Sequence, residues 1–168
     1  MLSIVIPTLF YSDRIFKTLM ELSRLEVVGE IILIDNTTNK IPYKLEKLVH
    51  ILEAENTFVN PAWNKGVHLS NFNNICLLND DMWFDWNFLE IIDEVISLDS
   101  GFIGMHPDNF QARAIDEMFF KSNYTLEKPL PDGKTKNGYR PLNWGTCIFF
   151  DKRNWDPIPS NLRIWAVS

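Results

Sequence analysis

Glycine is scarce in this sequence, 7 in 168 residues, and no glycine-rich loop bearing Lys or Arg follows the first apolar run. That absence argues against a P-loop type of phosphate cradle. Cysteine is nearly absent: Cys76 and Cys147 lie in apolar surroundings without metal-ligand spacing, which excludes a disulfide framework and reads as core thiols in a reducing compartment. Basic charge is in deficit, 16 Lys and Arg against 22 Asp and Glu, with a net charge of -6 and a pI near 5.0. A nucleic-acid partner would call for the opposite balance. A phosphorylated small molecule stays compatible where a divalent cation supplies the positive charge. No apolar run reaches membrane-spanning length, and Met1–Pro7 lacks a basic n-region and is too short for a signal core, so a soluble, cytoplasmic chain without a membrane span is expected. Repeats, low-complexity tracts and interdomain linkers are also missing. What is plentiful is apolar volume, 46% hydrophobic with 12 Phe and 6 Trp, enough for one sizeable core and too little for two ordinary domains.

The pattern is organised around Ile75-Cys76-Leu77-Leu78-Asn79-Asp80-Asp81-Met82, an apolar run that breaks into Asn-Asp-Asp. It predicts a buried strand delivering two carboxylates to a sheet rim, where ligands of open α/β sheets sit. Adjacent carboxylates repel unless a cation or hydrogen bonds hold them, and Mg²⁺ or Mn²⁺ takes such oxygen ligands. The plain alternative is an acidic turn after a strand.

Around it, strand and helix signals alternate. Leu2–Ile6 reads as a strand stopped by Pro7, and Ser12 or Asp13 caps a helix with Ile15, Leu19, Leu22 and Leu25 on its buried face. Glu30–Ile34 is a strand ending in Asp35-Asn36. A short helix around Tyr43–Leu48 and a strand Val49–Leu52 follow, then a helix whose start is signalled by Asn60-Pro61, with Trp63, Asn64 and Lys65 in its first turn. After the central strand, Asp85 caps a helix with a stripe of Phe88, Ile91, Ile92, Val95 and Ile96. Gly101–Met105 is a further strand; Ile115–Phe120 and Leu142–Phe150 read as strands separated by a Pro- and Gly-bearing loop at Glu127–Tyr139, and a helical turn occupies Asp151–Trp155. Such alternation implies a mostly parallel, right-handed α/β sheet.

Taken together, Ser3-Ile4-Val5-Ile6-Pro7-Thr8, Ile31-Ile32-Leu33-Ile34-Asp35-Asn36, Asn60-Pro61-Ala62-Trp63-Asn64-Lys65-Gly66 and Leu77-Leu78-Asn79-Asp80-Asp81 resemble, in order and spacing, the inverting family 2 glycosyltransferases and their GT-A nucleotide-sugar-binding domain. The resemblance covers the first hundred residues well and Trp144–Trp155 more loosely. It implies a single-domain, Rossmann-like GT-A α/β fold over 1–168, a mostly parallel sheet flanked by helices with a small mixed C-terminal part, its nucleotide-sugar-binding half at 1–106 and its acceptor side at 107–168.

The resemblance also implies roles. Pro7, Thr8, Asp35 and Asn36 hold base and ribose, and a strand-end carboxylate can accept from a base N–H or ribose hydroxyl as an apolar residue cannot. Asp35 has a turn-forming Asx role as its alternative. Asn64-Lys65-Gly66 matches the family's Asn-x-Gly element, placing an amide and Lys65 toward the nucleotide at a helix start; for Lys65 an ordinary exposed lysine is the preferred reading. Asn79-Asp80-Asp81 matches Asp-x-Asp with Asn first, so Asp81 ligates Mn²⁺ or Mg²⁺ while Asn79 or Asp80 touches ribose or a shell water. Met82, Trp83 and Trp86 lie near sugar or acceptor unless they are core, and Trp144 and Gly145 fall on the acceptor side; His106 approaches the metal or the acceptor, with a strand-end His of no catalytic role as the preferred reading. His50 and His68 carry no signal.

An inverting transferase also needs a general base, which the family supplies from an acidic pair after the Trp144-Gly145-Thr146 region. Ile164–Ser168 occupies the expected place without a carboxylate, so the acceptor side reads as incomplete, and the nearest candidates are Asp151 and Asp156, both more simply surface residues. The leading expectation is a metal-dependent glycosyltransferase moving a sugar from a nucleoside diphosphate sugar to a glycan, lipid or protein acceptor. The alternatives are a truncated or incompetent nucleotide-sugar-binding domain and, less favoured because it lacks the Gly-rich basic loop, a nucleotidyltransferase.

Overall fold

The continuous apolar runs Leu2–Ile6, Ile31–Ile34 and Ile75–Leu78 become parallel strands buried on both faces, as runs without alternation do when helices cover a sheet on either side. The computed structural model describes residues 1–37, 41, 44–82, 85–104 and 147–162. Within these, the order is β1 (Leu2–Thr8), α1 (Arg14–Arg24), β2 (Val28–Asp35), β3 (Leu48–Leu52), α2 (Val59–Leu69), β4 (Asn74–Leu78), α3 (Phe88–Val95), β5 (Phe102–Gly104) and β6 (Cys147–Asp151). The six described strands form one sheet ordered β3-β2-β1-β4-β6-β5. β1 to β4 are parallel, and β6 runs antiparallel to both β4 and β5. The mixed α/β fold is the expected one, with the non-parallel strand confined to the β6 side.

One face packs Leu2, Ile4, Ile6 and Leu33 against Ile15, Leu19 and Leu22 of α1 and Phe88, Leu89 and Ile92 of α3. The other packs Val5, Ile32, Ile34, Ile75 and Leu77 against Ala62, Trp63 and Val67 of α2. Gly66 lets α2 approach, because a Cβ there would lie 2.1 Å from Val5 Cγ1. Cys76 and Cys147 are free, buried thiols on neighbouring strands, with Sγ atoms 3.9 Å apart.

Several local expectations shift. β1 runs through Pro7 to Thr8. Leu2 N–H donates to Val27 O and Asn36 N–H to Thr8 O, so even-numbered residues face β2 and Pro7 faces β4. The β1–β4 ladder has ended at Val5 and Leu77, so the missing N–H costs no ladder bond. Residues 44–47 of the expected short helix form a turn instead, closed by Leu48 N–H to Leu45 O and by Lys47 Nζ donating to Leu25 O; so short a stretch does not repay helix nucleation. α2 starts at Val59, two residues ahead of the Asn60-Pro61 signal, with Phe58 as N-cap. In α3, Phe88, Leu89 and Ile92 are buried and Ile91 faces solvent. Of the strand expected at Leu142–Phe150, Cys147–Phe150 is observed and continues to Asp151. Ile115–Phe120 and the loop at Glu127–Tyr139 lie outside the described residues.

Candidate functional site at the carboxyl rim

Strand order reverses between β1 and β4, since β2 and β3 are laid on one side of β1 and β4 on the other. The crevice beyond the carboxyl ends at such a switch point is the place where open α/β sheets bind ligands. Here that crevice is bridged by side chains. Thr8 Oγ1 donates to Asp80 Oδ2 at 2.6 Å while accepting from Phe10 N–H at 2.9 Å. One hydroxyl thus ties the end of β1, the loop after it and the acid after β4.

Asp80 is half-buried and Asp81 exposed, on a turn closed by Met82 N–H to Asn79 O. Met82 is 4% exposed and Trp86 7%, both in the core, so the sugar-side role does not hold for either; Met82 anchors the turn from below and Trp86 Nε1 donates to Glu21. Burial pushes the Asp80 carboxyl above its ordinary value; the Thr8 hydroxyl opposes this, Asp81 adds to it, and the Leu9 N–H opposes it more weakly. The pair is therefore short of positive charge. Two adjacent hard oxygen donors suit Mn²⁺ or Mg²⁺ held by one or two carboxylates, with phosphate and water completing the shell. No group of three or more His, Cys, Asp or Glu able to hold a metal occurs among the described residues.

The rim continues at β2. Asp35 is fully buried: Oδ1 accepts from Thr37 N–H (2.7 Å) and Thr37 Oγ1 (2.8 Å), and Oδ2 meets His50 Nε2 at 3.0 Å. Both Asx-turn and cross-strand partners are thus present. Asn36 Oδ1 accepts from Thr57 N–H (3.0 Å) and Thr57 Oγ1 (2.9 Å), joining β2 to the approach of α2. Phe10 and Phe58 both take positive φ, 50° and 66°. For bulky residues these are strained conformations of the kind that collect at functional sites. Phe58 is held by its N–H donating to Asn56 Oδ1 at 2.8 Å.

Other candidates lie elsewhere. Asn64 is committed at both ends to Ile158, its Nδ2 donating to Ile158 O (2.8 Å) and its Oδ1 accepting from Ile158 N–H (2.9 Å), so its amide serves the fold instead of a ligand. Lys65 pairs with Glu53 on the surface. Asp151 pairs with Asn74, and β4 runs four residues from there to Leu78, so Asp151 lies about 13 Å along the sheet from the rim. It is buried and clamped by Arg153, whose hydrogen bonds, outweighing burial, hold its carboxyl below the ordinary value. As a general base for chemistry at Asp80 and Asp81 it is misplaced. Asp156 is exposed and follows Trp155, which stacks on Phe150 near the same amino end. Trp83, His106, Trp144 and Gly145 lie outside the described residues. Sequence reasoning missed His50, Thr57 and the strained Phe10 and Phe58; only the Asn56-Thr57 pair before a helix carried a local turn signal.

The mixed α/β fold, a six-stranded sheet flanked by three helices among the described residues, matches that of its GT-A-like structural neighbours. Among solved structures, residues 1–349 of TarS from S. aureus match over 98% of this chain and 52% of that one, at 15% identity and a TM-score of 0.65. HddC from Yersinia pseudotuberculosis matches over 99% of this chain and 85% of that one, at 13% identity and a TM-score of 0.53. The chain thus spans about half the length of the TarS structure, and at these identities the likeness is one of fold. No protein-family profile and no curated protein matches the sequence. Among the described residues, no helix is long and apolar enough to cross a membrane.

Proposed function

We propose that this chain is a glycosyltransferase domain that binds a nucleoside diphosphate sugar at the β1–β4 switch point, with Mn²⁺ or Mg²⁺ on Asp81, and passes the sugar with inversion to a glycan, lipid or protein acceptor. The observation that carries the reading is the Thr8–Asp80 bond across the switch point, with Asp81 exposed beside it. The GT-A-like neighbours are transferases, which supports the same reading. When bound, the cation offsets the charge that gathers on the departing diphosphate. Asp80, braced by Thr8 and the Leu9 N–H, presents its remaining acceptor positions to ribose or a shell water. Thr8 keeps the loop after β1 in place over the nucleotide, and the bridge from Asn36 to Thr57 fixes the distance between β2 and α2.

The likeness to HddC keeps a nucleotidyltransferase as the second reading. The separating experiment is calorimetric titration of UDP and GDP with and without Mn²⁺ or Mg²⁺, joined to a transfer and hydrolysis assay over a panel of sugar nucleotides. Metal-dependent binding with turnover supports the proposal. Binding without turnover selects a donor-binding domain. Pyrophosphate release from a nucleoside triphosphate and a sugar phosphate selects the nucleotidyltransferase, and no nucleotide binding overturns all three.

A further inference from the structure

The carboxylate that the resemblance assigns to the base, Asp35, is sealed. It is 0% exposed, and three donors approach it, the Thr37 N–H and hydroxyl at Oδ1 and His50 at Oδ2. His50 is different. Its side chain is 21% exposed, and Asp35 is its hydrogen-bond partner among the described residues. A carboxylate only accepts, so the ring hydrogen of a neutral His50 sits on Nε2, and this leaves Nδ1 with a lone pair and no protein donor among the described residues.

His50 also stands in the right place. It pairs with Leu33 on β2, two residues short of Asp35, and reaches diagonally to the rim. From β3 to β4, which Asp80 and Asp81 follow, is three strand spacings, about 14 Å, and His50 shortens it by reaching inward over β2 to Asp35, so that a nucleotide laid across the strand ends has its phosphates at Asp80 and Asp81.

We infer that His50 reads the nucleobase, accepting a ring N–H at Nδ1, and that Asp35 is the positioning residue that fixes its tautomer and orientation. The inference rests on the donor-binding reading above and deepens it. An acceptor at this position selects bases with an imide-type ring N–H, uracil or guanine, over cytosine and adenine, which present a bare ring nitrogen there. A His–Asp pair serving the fold alone has no such preference.

The test is calorimetric affinity for UDP against CDP, and for GDP against ADP, all with Mn²⁺, in the unaltered chain, His50→Gln and His50→Leu. The Gln amide can donate to Asp35 and still offer an oxygen to the base. One hydrogen bond is worth about tenfold, so the unaltered chain is expected to prefer UDP over CDP, or GDP over ADP, by about that factor. His50→Gln should keep most of the preference, and His50→Leu should bring the ratio close to one. An unchanged ratio in a folded His50→Leu, or no preference in the unaltered chain, overturns the inference. If His50→Leu does not fold, ¹⁵N spectra of the unaltered chain decide, with the His50 resonance identified by its loss in His50→Gln: Nδ1 must move with the preferred nucleotide and stay put with its partner, and an unmoved signal overturns the inference. Failure of all four nucleotides to bind is a separate result and removes the donor-binding reading itself.

Discussion

Asp80 sits where an isolated carboxylate is uncomfortable, and the discomfort has a readable pH signature. Its folded pKa is raised, first by burial, so the native state holds the proton more tightly than the unfolded chain. Stability from this group is therefore greatest in acid and is lost as pH rises from the ordinary carboxylate range through the raised value. Asp80→Asn is expected to remove that loss, so its advantage over the unaltered chain in urea unfolding should grow from acid to neutral pH while nucleotide binding weakens; a pH-independent difference would contradict the assignment. Asp151 behaves oppositely. Its pKa is lowered, first by the Arg153 hydrogen bonds, so its contribution is present above the unfolded value and fades as pH falls through the folded one. Arg153→Met should destabilise modestly at neutral pH, with the cost vanishing in acid, and Asp151→Asn should leave transfer per folded molecule unchanged. The polar strand ends Asp35, Asn36 and Asp80 are legible in the sequence because an apolar run that stops at Asn or Asp marks itself, and Thr8 is legible because it follows the Pro7 that closes the first run. The partners His50 and Thr57 are not, because cross-strand register and the approach of α2 bring them in from 15 and 21 residues away.

The element whose role the sequence least reveals is α2. Asn60-Pro61 looks like a cap, yet the helix opens two residues earlier at Phe58, whose positive φ and bond to Asn56 turn the chain in. Asn60 is then buried inside the first turn, its Nδ2 donating to Leu162 O at 3.0 Å, and Asn64 one turn on holds Ile158. Two amides on one helix face thus strap the segment after β6 along α2. Asn64→Ala strands the Ile158 N–H and C=O and is expected to cost about 1–3 kcal/mol in urea unfolding. Gly66 faces the sheet, where Val5 cannot yield. Gly66→Ala gains about 1 kcal/mol of helix propensity but overpacks at a typical cost of about 1–3 kcal/mol, so a net loss of stability is expected; a stabilised variant would show that α2 can back away from β1. No local pattern announces the strap, since its partners are 94 and 102 residues apart in the chain.

Across the whole molecule, order and direction of the strands decide where chemistry can occur. The alternation of β and α signals gives the parallel half β1 to β4, and the crossing between β1 and β4 follows once four parallel strands must place their helices on both faces. The insertion of β6 beside β4 is not written in the periodicity of either strand, and it is what carries Asp151 to the far end of the sheet from Asp80. The central claim is that Asp81, lifted to the rim by the turn that Met82 anchors, holds a divalent cation for a nucleoside diphosphate. It is tested most directly by titrating UDP and GDP, with and without Mn²⁺ or Mg²⁺, into the unaltered chain and a folded Asp81→Ala. The account expects metal to strengthen binding in the first, and the variant to lose at least the roughly 10–100-fold that removal of even an outer-shell partner costs. Equal, equally metal-dependent affinity in both would contradict it.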